Sequence, residues 1–309
     1  MESSTLTLNA PDGTSVHIYR WSPPAGSTPK AVVQIAHGLA EHAARYARFA
    51  EALTAAGYVV YAEDHRGHGR TAPRSPARGY LADGDGFDVV IEDMHRLTGH
   101  AQSEHPGLPV FLLGHSMGSF LARGYAAKHG SELAGLILSG TAGDPGVLGM
   151  AGGVVAAVQS KLRGRRHPSG LMDMLSFGSY NKGIDSPRTK FDWLSRDPDE
   201  VDKYVADEGC GFVASCGLYQ DLLRGLASVN SDATVARIPR TLPVHVMSGD
   251  RDPVGAYGAG PKAVAEQLRR LGVADVTEQL YPGGRHEMLN ETNRDEVEAG
   301  LIAWLDAHV

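Results

Sequence analysis

Short, uninterrupted apolar runs alternate along this chain with longer segments whose apolar residues recur every three or four positions. The runs AVVQIA (31–36), YVVYAE (58–63), VFLLG (110–114), GLILSG (135–140) and PVHVMSG (243–249) have no polar face, as expected of strands covered on both sides. Between them, Tyr46, Phe49, Ala50, Leu53 and Ala56 form a helical stripe that Gly57 ends. Further helices are predicted over 87–104, 116–128, 259–271 and 294–308, with a strand at VTEQLY (276–281). STLTL and SVHIYRW, joined by the turn-rich NAPDGT, read as an opening hairpin. Strand–helix alternation of this kind predicts an α/β fold built on a mostly parallel, doubly wound sheet.

The rhythm breaks between residues 142 and 236. No buried-strand run occurs there, only helical pieces, glycines and scattered methionines. The expected organisation is a core formed by residues 1–141 and 237–309, with 142–236 as a helical cap inserted between two strands. There is no internal repeat and no low-complexity tract.

The 309 residues, 42% hydrophobic and 21% charged, suit a folded core. A net charge of -7, without a dense basic tract, argues against a nucleic-acid partner. The one concentrated basic run, Lys161, Arg163, Arg165 and Arg166, reads as a solvated face. Cys210 and Cys216 are too few for a disulfide scaffold and are expected as reduced thiols. The start of the sequence lacks a signal-peptide pattern. The longest apolar run, GVLGMAGGVVAAV, has 13 residues, short of the roughly 20 that span a bilayer. A soluble, cytoplasmic protein is expected.

In a doubly wound sheet the chemistry lies just past the carboxyl ends of strands. VFLLG runs into Gly114-His115-Ser116-Met117-Gly118 and then into a helix, a G-x-S-x-G bend that presents Ser116 at the sheet rim. The bland alternative is a serine capping a helix. A serine hydroxyl needs a base and an orienting acid, which follow it in the order acid, then histidine. Of the late histidines, His245 lies inside a strand and His308 at the terminus. His286, in the loop after VTEQLY, is the candidate base. In SGDRDPV, Asp252 is the candidate acid, and Asp250 is better placed to shape the turn. Two backbone N–H groups are needed for an oxyanion. Met117 follows the nucleophile, and Leu39 lies in the loop after AVVQIA, with His37 expected to hold that loop.

With these segments in view, the chain resembles α/β-hydrolases of the monoacylglycerol lipase and lysophospholipase-like group. HGLAEHAARY is similar to that group's HGxxEHxxRY segment. DHRGHGRT is similar to its DxxGHGxS loop, with Thr71 where serine is usual, and GHSMG, GDRDPVG and GGRHEML follow in order. The resemblance implies the α/β-hydrolase fold with a mobile helical cap, and an acyl-ester hydrolase needing no metal or organic cofactor. It also implies Ser116, Asp252 and His286 as triad and Leu39 and Met117 as oxyanion donors. The expected substrates are monoacylglycerols or other medium-chain monoesters. A lysophospholipase would instead use the basic run near a phosphate head group. An aminopeptidase on the same triad would need a carboxylate for a free amine, for which Asp199, Glu200 and Asp202 are the candidates. A ligand-binding protein without turnover would not need all three triad groups.

Other clusters carry less. HRGHG lacks further ligands at zinc-like spacing. Asp64 and Arg66 are expected to brace their loop, and His95, His100 and His105 to lie on the surface. Leu148, Met150, Val154, Val155 and Val158 suggest an amphipathic cap helix. It either packs in the cap or offers an acyl entrance or a transient membrane contact beside the basic run.

Overall fold

The computed structural model describes residues 1–72 and 78–309. Its eight strands are β1 (Glu2–Asn9), β2 (Ser15–Ser22), β3 (Ala31–Ala36), β4 (Tyr58–Glu63), β5 (Val110–His115), β6 (Gly135–Ser139), β7 (Val244–Gly249) and β8 (Val276–Tyr281). They form one sheet in the order β1-β2-β4-β3-β5-β6-β7-β8. The opening hairpin pairs antiparallel and joins β4 antiparallel, and every other pairing is parallel. This is the α/β-hydrolase fold.

Period-two alternation within the apolar runs divides the core. Phe111 and Leu113 of β5, with Ile137 and Met247, pack on one face against α1 (Ala47–Ala55) and α10 (Arg294–Asp306) through Phe49, Leu53, Leu301 and Leu305. Leu112, Leu136, Leu138, Val244 and Val246 point the other way. They meet α2 (Gly86–Glu104), α3 (Met117–His129) and α9 (Ala259–Arg270) through Met94, Leu121, Tyr125 and Val264. With both faces covered, β3 to β7 are buried at every position, as their sequences require.

Between β6 and β7 the chain forms α4 (Gly146–Arg163), α5 (Gly170–Phe177), α6 (Pro198–Ala206), α7 (Cys216–Val229) and α8 (Asp232–Val235), without a named strand among the described residues. This layer stands over the carboxyl ends of the parallel strands. Among the described residues no helix is long and apolar enough to cross a membrane.

Candidate active site

The bend after β5 is tight enough to exclude side chains on either flank. A Cβ at Gly114 would lie 2.3 Å from the Gly118 carbonyl oxygen, and one at Gly118 would lie 2.0 Å from the Ala36 oxygen. Ser116 itself takes φ +53 and ψ -121, a left-handed conformation costly for a residue with a Cβ. The chain holds it there with Ser116 N–H donating to Ser139 O at 2.9 Å, and with the Ser119 hydroxyl and amide donating to Ser116 O. Met117 opens α3, so its N–H has no intrahelical acceptor.

The loops after β7 and β8 bring Asp252 and His286 together. His286 Nδ1 lies 2.9 Å from Asp252 Oδ2, with both groups almost fully buried. The Ser248 hydroxyl also donates to Oδ2, and the Val254 N–H to Oδ1, so the carboxylate is held on both oxygens. Burial alone would disfavour the imidazolium. The charge and hydrogen bond of Asp252 outweigh it, with Glu287 and Glu41 adding, and His286 is held above the ordinary histidine range. Its Nε2 has no hydrogen-bond partner among the described residues. Asp250 does not approach the imidazole, since its Oδ1 accepts the Gly283 N–H and fixes the turn.

The ring of His115 lies 4.7 Å from that of His286. Burial, reinforced by that neighbour, pushes His115 down to about 4, so it is neutral where His286 titrates.

The loop after β3 rests on a buried ionic cluster. Gly38 N–H donates to Glu41 Oε1 at 2.5 Å, and the Tyr46 hydroxyl donates to the same oxygen. Arg45 donates to Glu41 Oε2 at 2.6 Å and grips both oxygens of Glu287 at 2.7 Å. The residue beside His286 is thereby tied to the loop that carries Leu39, whose N–H has no acceptor among the described residues. Glu41, Arg45 and Tyr46 lie within HGLAEHAARY, whose pattern alone assigns them no part, and Glu287 carries no expectation from the sequence. The signal was the acidic residue directly after the candidate base. His37 is fully buried and takes the His65 N–H on Nε2, bracing the loop as expected. Asp64 accepts from Ala43 and Arg70 N–H groups, and Arg66 binds Asp93, so both are likewise braces.

A cavity of about 280 Å³ opens onto Ser116, Leu39, His286 and Glu287, walled by Phe177, Trp193 and Tyr204 from the inserted helices. Several expectations need correction. Arg165 is not solvated: it donates to Asp221 at 2.6 Å and to the Ala82 and Gly84 carbonyls, while Arg166 stacks on Tyr80. The basic run is therefore split, because its second half staples the α4–α5 link to the core. His95, His100 and His105 are half-buried, with His105 Nε2 beside the Tyr61 hydroxyl and His95 paired with Glu132. Glu200 and Asp202 are occupied by Arg48 and Arg188, and neither they nor Asp199 line the cavity. Both cysteines are free and buried. In α4, Leu148, Met150, Val154 and Val158 are exposed, and Val155 packs inward.

Fold and site together define a hydrolase of the carboxylic-ester class. Residues 27–293 match the family model described as serine aminopeptidase, S33, and the chain belongs to that family of α/β-hydrolases, within its monoacylglycerol-lipase-like branch. It is 34% identical to a monoacylglycerol lipase of Mycolicibacterium smegmatis, over 94% of this chain and 92% of that one. It is 30% identical to the human monoglyceride lipase, over 91% and 82% respectively. Among solved structures, a thermostable carboxyl esterase from Bacillus coagulans in complex with glycerol superposes with a TM-score of 0.90 at 34% identity, covering 100% of this chain and 99% of that one.

Proposed function

We propose that the protein cleaves monoacylglycerols or similar medium-chain monoesters through an acyl-enzyme on Ser116. His286 takes the Ser116 proton as the hydroxyl attacks the ester carbonyl. Asp252 keeps the imidazole proton on Nδ1 and stabilises the imidazolium. The N–H groups of Leu39 and Met117 receive the tetrahedral oxyanion. His286 then protonates the leaving glycerol, and water releases the acid by the same steps in reverse. Residues 142–236 serve as the cap that walls the acyl site.

The observation that carries this reading is the buried Asp252–His286 pair, opening on the same cavity as the elbow serine. A volume of about 280 Å³ is at the small end for ligand sites, which favours medium chains. The names of the relatives, monoacylglycerol lipase and a carboxyl esterase crystallised with glycerol, support a glycerol leaving group. Exposed Leu148, Met150, Val154, Val158 and Leu162 on α4, with Leu171, Met174 and Leu175 on α5, support transient contact with a lipid surface, and Met174 also lines the cavity. Two free buried thiols fit a cytoplasmic location.

The test is turnover of p-nitrophenyl esters and of a chain-length series of glycerol monoesters by wild type and Ser116→Ala. A fall of about 10⁴-fold or more is expected. Equal rates, or a folded wild type that takes no fluorophosphonate label, would end the reading. Faster cleavage of lysophosphatidylcholine than of monoacylglycerol would reassign the head group.

A further inference from the structure

His42, Asp207 and Cys210 place an imidazole, a carboxylate and a thiol at one junction between core and inserted helices. Their donor atoms all lie within 4.8 Å of one another, and His42 Nε2 is already 2.9 Å from Asp207 Oδ2. We propose that this cluster is a binding site for a soft divalent cation of the zinc type, with three protein ligands and one open position.

The local backbone is built for the approach. Asp207 and Cys210 are brought onto one turn by the Cys210 N–H to Asp207 O hydrogen bond at 3.0 Å. The Gly209 N–H donates to Asp207 Oδ1 at 2.7 Å, which leaves Oδ2 turned toward His42. A Cβ at Gly209 would lie 2.8 Å from His42 Cδ2, so glycine is what lets the ring lie against the turn. The turn is anchored from both sides, since Gly211 N–H and the Tyr204 hydroxyl both donate to Ala40 O at 2.9 Å. Cys210 Sγ has no hydrogen-bond partner among the described residues.

The donor set selects the ion. A thiolate, an imidazole and a carboxylate suit Zn²⁺ and not Mg²⁺ or Ca²⁺, which take all-oxygen shells. Tetrahedral Zn–S, Zn–N and Zn–O bonds put ligand atoms about 3.3–3.7 Å apart, so separations of up to 4.8 Å close on binding while the 2.9 Å His42–Asp207 contact opens slightly. The surroundings tolerate the charge: Arg45, the cation that acts on Cys210, is already matched by Glu41 and Glu287. Burial holds the Cys210 thiol protonated in the free protein. As the S–metal bond forms, the S–H bond breaks and one proton passes to solvent, while His42 binds through Nε2 with its proton on Nδ1. A second cluster, Glu92, His95 and His129, offers no thiol, and its imidazoles are already engaged, stacked on each other at 3.7 Å with His95 Nε2 on Glu132.

Occupancy would cross-link the Ala40–His42 segment to the turn after α6. The experiment is a ZnCl₂ titration of metal-stripped, reduced full-length protein by calorimetry, with Co²⁺ absorption as the spectroscopic reporter. One saturable equivalent is expected, with a thiolate-to-cobalt charge-transfer band and a rise in Tm on adding Zn²⁺. Cys210→Ala should abolish the band and weaken binding by about tenfold or more; Asp207→Asn, at a half-exposed side chain where Asn keeps an oxygen to accept the Gly209 N–H, should weaken binding and the band's appearance by a similar factor. Cys216→Ala should leave both unchanged. No saturable binding to wild type, or undiminished binding and band in Asp207→Asn, would overturn the proposal even if Cys210→Ala fails to fold.

Discussion

Replacing Arg45 by methionine would remove one buried cation from between two buried carboxylates while keeping most of the side-chain volume. Glu287 gauges what is lost. Burial works against its charge, but the attraction and hydrogen bonds of Arg45 win, and a carboxyl ordinarily near 4.5 is held at about 2. At 1.36 kcal/mol per pH unit that difference corresponds to about 3 kcal/mol. The figure agrees with the roughly 3–5 kcal/mol expected when one partner of a buried ion pair is removed. For a chain of this size it translates into a fall in Tm of about 5–10 °C. The pH dependence has a definite sign. A carboxyl held below its unfolded value contributes stability that is complete above about pH 4.5 and disappears as the pH falls toward about 2. Arg45→Met should therefore melt lower than wild type at pH 7, and the gap should narrow as the pH is lowered through that window. Circular-dichroism melts from pH 7 to pH 3 measure both. Because Arg45 also steadies Glu41 under the Gly38 N–H, kcat should fall by about ten- to a hundredfold with KM little changed. A variant that melts within about 2 °C of wild type at pH 7 would refute the claim that this cluster supports the loop.

Asp252→Asn should lower kcat by about 10⁴-fold. It should also move the acidic limb of kcat/KM to lower pH, because the base works neutral and Asp252 is what holds His286 above its ordinary range. An unmoved limb in a pH–rate profile would dissociate the two residues. Gly118→Ala drives a methyl group into the Ala36 carbonyl at 2.0 Å and should yield little folded, active protein by expression yield and near-UV spectrum, whereas a normal yield with normal activity would contradict the elbow geometry. Leu148→Glu with Leu162→Glu, at side chains 86% and 79% exposed, should weaken sedimentation with phosphatidylcholine vesicles while leaving turnover of a soluble p-nitrophenyl ester within about twofold. Unchanged sedimentation would remove the lipid-surface contact.

What the sequence made legible follows from local physics. Strands β3 to β7 were readable because burial on both faces makes most of their positions apolar, with the buried polar exceptions, such as Gln34 and Ser248, each hydrogen-bonded. The elbow was readable because a bend that close-packed admits only glycine at 114 and 118. His286 and Asp252 were readable because each lies directly past a strand end. What escaped depends on pairings that no local pattern records. The Arg45–Glu287 grip joins positions 242 apart, and Arg165 meets Asp221 56 positions on, so a basic run that looks solvated on paper is partly consumed by a staple. The half-burial of His95, in α2, and of His105, just after it, escaped for the same reason: their spacing describes the helix, but Tyr61 and Glu132 on other elements cover them.

The anchoring of the inserted helices is uneven, and that unevenness bears on which wall of the cavity sets specificity. The stretch around Trp193 is bound to the very loop that carries His286. Glu287 N–H donates to Leu194 O at 2.8 Å, Arg285 donates to the Asp192 and Ser195 carbonyls, and Arg196 pairs with Glu291. A shift there would drag His286 with it, so this wall must stay fixed for the imidazole to keep its position on Asp252. The wall formed by α4 and α5 has no such tie to the His286 loop, although Phe177 stacks on Trp193 at 6.0 Å. Of the eighteen residues of α4 only Ala156 and Ser160 are buried, and of α5 only Met172, although Met174 and Phe177 line the cavity. Elements with so few buried contacts open at low free energy. The chain thus fixes the wall beside His286 and leaves the wall that carries Met174 adjustable. Substitutions at Met174 should change chain-length preference without moving the pH–rate profile, whereas substitutions at Trp193 should change both together.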